Sequence, residues 1–206
     1  CPDEAEVHDS LRKKNINKLH TSTFFGSAYS SVKYRFPLIE NFTSLHELKI
    51  SLRSFNMDQS ELKDVLKNSS VEKIRIDEHQ NSLIWLKNFP QLKSLELSVD
   101  TYGGPTKDLH AFEYLTNLEE LSMNCSSENL DFLKKCVKIK KLTISLASKN
   151  IDALKYLTKL EELEISVGDE ASTAGLSYCK NLKNLEISSD SGTNVLANLK
   201  SCSALE

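Results

Sequence analysis

The sequence predicts an α/β solenoid: short parallel strands stacked into one curved sheet on the concave side, with short helices on the convex side. Two observations predict it. Leucine supplies 31 of 206 residues and is spread from Leu11 to Leu205 rather than clustered. An apolar template, Φ-x-x-Φ-x-x-Φ-x-x-Φ-x-Φ, then recurs along the chain, and internal repetition of this kind outranks any local propensity. The length suits one elongated array with a real core. Gly (6) and Pro (4) are too scarce for a linker-rich chain.

Residues 1–38 stand outside the template. Val7, Leu11, Ile16 and Leu19 are spaced among charges, so Glu4–Leu19 reads as an amphipathic helix. Val32, Tyr34 and Phe36 alternate with Ser31, Lys33 and Arg35 and read as a strand ending at Pro37. The segment is expected either to cap the first repeat or to be the tail of another domain.

Residues 39–206 hold about seven repeats. Full matches are Ile39-Phe42-Leu45-Leu48-Ile50, Leu86-Phe89-Leu92-Leu95-Leu97, Phe112-Leu115-Leu118-Leu121-Met123 and Leu133-Cys136-Ile139-Leu142-Ile144. Two more are Leu154-Leu157-Leu160-Leu163-Ile165 and Leu176-Cys179-Leu182-Leu185-Ile187. Val65, Val71, Ile74 and Ile76 form a degenerate copy with Asn68 at an apolar position. The last copy, Leu199-Cys202-Leu205, is incomplete, so a continuing natural chain is expected. The third template position advances by 26, 21, 26, 21, 21, 22 and 23 residues. The terminal Φ-x-Φ has period two, so both side chains leave one face of a strand. The leading Φ-x-x-Φ fits one or two helical turns that carry the chain back, apolar side inward. One repeat cannot bury its own leucines, whereas stacked repeats can.

These spacings and the L-x-x-L-x-[LI] core resemble the leucine-rich-repeat superfamily from residue 39 onward. The short steps and "YLTKLEELEIS" are similar to the internalin and phosphatase-regulator type. Cys136, Cys179 and Cys202 resemble the cysteine-containing repeats of F-box proteins. One departure is clear. Where many such repeats carry Asn after the strand, this chain has Arg53, His79, Asp100, Ser126, Ala147, Gly168 and Asp190. Ser51, Asp77, Ser98, Asn124, Ser145, Ser166 and Ser188, just after the last strand position, are expected to bond locally to backbone instead.

Function is narrowed mostly by exclusion. A net charge of −3 gives no pull toward nucleic acid. No apolar run reaches the ~18 residues of a membrane span. The five histidines are scattered, and no zincin, nucleophile-elbow or phosphate-loop motif occurs. Neither catalysis, a metal, a cofactor nor a small-molecule substrate is expected. Five cysteines without C-x-x-C read as buried small hydrophobes in a reducing, cytoplasmic setting, with a secreted or cell-surface setting as the alternative. The sequons at Asn41, Asn68 and Asn124 read as chance triplets in a Ser- and Asn-rich chain.

A binding module for a protein or peptide therefore remains. The outward strand positions carry Lys49, Lys73 and Arg75 early and Glu162, Glu164 and Glu186 late, a gradient that could orient a partner. Two long repeats add residues after the strand. One insertion holds Phe55, with Met57, and the other holds Tyr102 beside Gly103-Gly104-Pro105. Insertions of this kind emerge on one edge of a solenoid. Phe55 reads equally well as a partner contact or as core packing. An alternative is an accessory recognition domain of an enzyme, for example a ubiquitin ligase, whose catalytic part lies elsewhere.

Overall fold

The structure, a computed structural model, describes residues 18–23, 45–52, 70–76, 82–98, 106–125, 127, 129–189 and 196–205. The expected strand at Val32–Phe36, both insertions with Phe55 and Tyr102, and the helix up to residue 17 lie outside the described residues.

Among the described residues, eight strands form a single sheet in sequence order, every neighbouring pair parallel. They are β1 (Lys18–Thr23), β2 (Glu47–Leu52), β3 (Lys73–Ile76), β4 (Ser94–Ser98), β5 (Glu120–Asn124), β6 (Lys141–Asn150), β7 (Glu162–Ser172) and β8 (Asn184–Ser189). Strand pairing aligns the template: Leu48, Ile74, Leu95, Leu121, Leu142, Leu163 and Leu185 stand in one row. Lys49, Arg75, Glu96, Ser122, Thr143, Glu164 and Glu186 alternate with them on the opposite face.

β1 corrects the expected helix. Lys18 and Leu19, read as its end, are strand, and Leu19 pairs with Leu48 and Thr21 with Ile50. The sheet thus begins before residue 39. Thr21 stands where the template wants an apolar residue, which hid this strand.

Among the described residues the return segments at Ile84–Asn88, Leu109–Tyr114, Asp131–Leu133, Asp152–Tyr156 and Ala174–Tyr178 are 3-10 turns, and the last, Leu196–Leu199, is a single α-helical turn. Their backbone explains the three-residue spacing of the template. Leu157 N–H donates to Leu154 O, and Leu160 N–H to Leu157 O, at 2.8 and 3.0 Å. The same pair of bonds recurs at Phe89 and Leu92, Leu115 and Leu118, Cys136 and Ile139, Cys179 and Leu182, and Cys202 and Leu205. With about three residues per turn, positions three apart eclipse and all face the sheet.

The core runs unbroken between sheet and turns. It includes a column absent from the template: Trp85, Ala111, Phe132, Ala153 and Gly175 are all buried one residue before the first apolar position. Large and small side chains alternate there from Trp85 to Ala153, and Gly175 adds a second small residue at the end. Phe132 reaches Phe112 of the preceding repeat, ring centroids 5.1 Å apart.

Repeats are joined by bonds of fixed pattern. At the sheet entrance two successive amides donate to one carbonyl of the preceding repeat: Glu119 and Glu120 to Lys93 O, Lys140 and Lys141 to Glu119 O, Glu161 and Glu162 to Lys140 O. A side-chain amide ladder does exist, but between the second and third apolar positions: Asn117 donates to Pro90 O at 2.9 Å and Asn181 to Thr158 O at 2.7 Å. The serines expected to close post-strand turns lie within extended strand, because β6 and β7 run on to Asn150 and Ser172. Among the described residues the Ser145, Ser166 and Ser188 hydroxyls make no hydrogen bond to backbone. The turns are capped later, where Asn129 Oδ1 accepts Asp131 N–H at 2.9 Å and Asn150 Oδ1 accepts Asp152 N–H at 2.8 Å.

Candidate interaction surface

Parallel strands lie about 4.8 Å apart, closer than helical segments can pack, so the sheet lines the inner side of the curve. Its outward side chains make two parallel rows. The first is Lys18, Glu47, Lys73, Ser94, Glu120, Lys141, Glu162 and Asn184, and the second runs from Lys49 to Glu186.

The predicted residues fall into two patches. Lys73 is exposed, Lys49 and Arg75 are half-buried, and register sets Lys49 against Arg75. Glu162, Glu164 and Glu186 lie on β7 and β8. β3 and β7 are four spacings apart, about 19 Å, so the two patches are separate on one face. The acidic patch borders an open hollow of 480 Å3, lined also by Lys141, Thr143, Asn184 and Leu185.

Cross-repeat pairing softens the charge gradient. Arg75 Nη1 binds Glu96 at 3.0 Å, and Lys141 Nζ binds Glu162 at 2.6 Å. Thr143 donates to Glu164 at 3.4 Å. Glu186 meets no ion partner among the described residues. Just ahead of the strands a further row alternates strictly in sign: Glu72–Lys93 at 2.8 Å, Glu119–Lys140 at 2.7 Å and Glu161–Lys183 at 2.5 Å. The Lys140 hydrogen bond holds the Glu119 carboxyl below its ordinary range, and Lys183 does the same to Glu161. In turn Glu119 raises Lys140, and Glu162 raises Lys141. The pairing was hidden in the sequence because its partners stand 21 or 22 residues apart.

Aromatic anchors sit elsewhere. Tyr114, Tyr156 and Tyr178 are 51%, 38% and 56% exposed on the convex turns. Each directly precedes the second apolar template position, a repeat column that sequence reasoning passed over because Lys135 interrupts it.

The cysteines among the described residues, Cys125, Cys136, Cys179 and Cys202, are core residues. Cys136, Cys179 and Cys202 sit at one repeat position, and each thiol donates to a carbonyl of the preceding repeat, on Phe112 (3.4 Å), Leu154 (3.9 Å) and Leu176 (3.3 Å). Burial pushes the Cys125, Cys136 and Cys179 thiols up to about 12. Thiolate chemistry is thereby suppressed. Among the described residues no three His, Cys, Asp or Glu side chains converge as a metal site would need. No helix among them is long and apolar enough to cross a membrane.

No protein-family model and no curated protein matches the sequence. Two solved structures are similar in shape. Internalin C2 of Listeria monocytogenes aligns at TM-score 0.61 and 14% identity, over 81% of this chain and 71% of that one. A leucine-rich-repeat protein of Leptospira interrogans aligns at TM-score 0.67 and 13% identity over 100% of this chain. This chain spans about half, 51%, of that protein's length. Identities this low speak to architecture alone, and with the aligned parallel strands they establish that the chain has the leucine-rich-repeat solenoid fold.

Proposed function

We propose that this chain is a protein-binding module that engages a protein or peptide on the sheet face, with the insertion edge beside it. The observation that carries the reading is the pair of outward rows: a broad face held rigid by in-register strands and by ion pairs from one repeat to the next. A surface ordered in advance spares a partner much of the entropy cost of association. Lys49, Lys73 and Arg75 supply a basic contact region and Glu162, Glu164 and Glu186 an acidic one, with Phe55 and Tyr102 on the insertion edge. Residues 1–38 act as the flanking cap of repeats 39–206, a reading that β1 on the sheet's first edge supports. The role assigned is recognition rather than catalysis. Free thiols held in the core favour a cytoplasmic setting.

Crosslinking capture with mass spectrometry tests this reading. Lys73→Glu, Glu164→Lys with Glu186→Lys, and Tyr102→Ala are compared with the wild type. At least one variant should lose a specific partner while its thermal midpoint stays unchanged. If all three capture the same proteins equally, binding lies off this face and edge.

A further inference from the structure

The convex side carries a second surface, independent of the sheet face. The 3-10 turns of successive repeats pack on one another, so equivalent positions form rows. One row contains Tyr114, Lys135, Tyr156 and Tyr178, all exposed. Lys155 and Lys180 flank it, both exposed, and Lys155 Nζ lies 5.2 Å from the Tyr156 ring centroid. The acids in the same turns are engaged. Asp131 binds Lys134 at 2.9 Å, and Asp152 accepts the Ser172 hydroxyl at 2.7 Å and Gly175 N–H at 3.3 Å. Glu113, exposed beside Tyr114, is an acid at the early end of the row, so the basic part of the strip is Lys135, Lys155 and Lys180.

We propose that this tyrosine–lysine strip docks an acidic polypeptide segment. The charge complement is what selects the occupant: Lys135 stands in the row between Tyr114 and Tyr156, and Lys155 and Lys180 flank the row, all three exposed. Tyrosine suits such a contact. It offers a wide apolar face at the entropy cost of two torsions, and its hydroxyl can donate to a carboxylate. A polypeptide fits better than a nucleic acid, because the three lysines Lys135, Lys155 and Lys180 are fewer than the roughly six to ten phosphate contacts of a nucleic-acid footprint. The strip lies on the side opposite Glu162, Glu164 and Glu186, so failure here and failure of the sheet-face reading are told apart by which variants act.

The test is fluorescence anisotropy on the full chain with three probes: a fluorescein-labelled Glu/Leu peptide, its Lys-for-Glu counterpart, and a single-stranded oligodeoxynucleotide. The acidic peptide should bind saturably, more weakly as salt rises. Tyr156→Ala with Tyr178→Ala should weaken it about tenfold, the size of loss that exposed aromatic anchors produce. Lys135→Glu with Lys155→Glu should weaken it at least as much at low salt. Thermal melts of every variant guard against misfolding. The proposal is overturned if the acidic peptide does not bind, if the lysine peptide or the oligonucleotide binds as well, or if neither strip variant weakens binding in a protein that melts normally.

Discussion

Gly175 ends the buried column that begins at Trp85, and nothing larger fits. A Cβ built there would lie 2.5 Å from Ile151 O and 2.8 Å from Asp152 Cα, both backbone atoms that cannot swing away. Gly175→Ala should therefore cost about 1–3 kcal/mol in urea unfolding. An equal swap at Ala153, which already carries a Cβ, offers no such test. The buried thiols make a second residue-scale prediction. Cys125, Cys136 and Cys179 should resist a thiol reagent at pH 8 in the native chain and react at once in urea. Their raised values also set an alkaline limit. The folded state holds these thiols protonated, so their contribution to stability is intact below the ordinary value of 9.0 and is lost as pH climbs toward about 12.

At the scale of the element, the strand entrances are joined by the alternating Glu and Lys row. Glu119 and Glu161 have lowered carboxyl values, so their contribution is present above the ordinary 4.5 and disappears as pH falls through the lowered value. Lys140→Met removes the partner of Glu119 and should flatten the loss of stability on acidification. Urea titrations of both proteins across that range check it, and superimposed profiles would show that the exposed pair contributes nothing. Which elements could be read from sequence follows from similar physics. Strands such as Lys141–Asn150 announced themselves because Leu142 and Ile144 must share a face, and the return segments because leucines recur every third residue. Their 3-10 character stayed hidden, since a brief Φ-x-x-Φ run suits either helix type. The column of Trp85, Ala111, Phe132, Ala153 and Gly175 stayed hidden because a packing layer that alternates in size has no common residue type. On the sheet face, the positions of Lys73, Arg75, Glu162, Glu164 and Glu186 followed from alternation alone. Their pairing with Glu96, Lys141 and Thr143 did not, because it depends on register between distant segments. The tyrosine row was passed over because exposed positions obey no apolar rule.

At the scale of the whole molecule, each repeat is buried only by its neighbours, so stability is close to a sum of repeat and interface terms. Leu142→Ala, on a fully buried side chain in β6, should cost about 2–5 kcal/mol. It should also split the single unfolding transition, because it weakens the middle of the array. Leu185→Ala, at a half-buried position on β8, should cost less and leave one transition. Hydrogen exchange followed segment by segment distinguishes the two outcomes.

The bonds at the sheet entrance, the thiol contacts and the Asn117 and Asn181 links share one direction. In every case the later repeat donates and the earlier repeat accepts. Translation delivers the chain in that same order. Each newly made turn leaving the ribosome meets a finished rung whose carbonyls are already in place, so this protein can assemble like a zip closed from one end, with no stretch of leucines waiting long for cover.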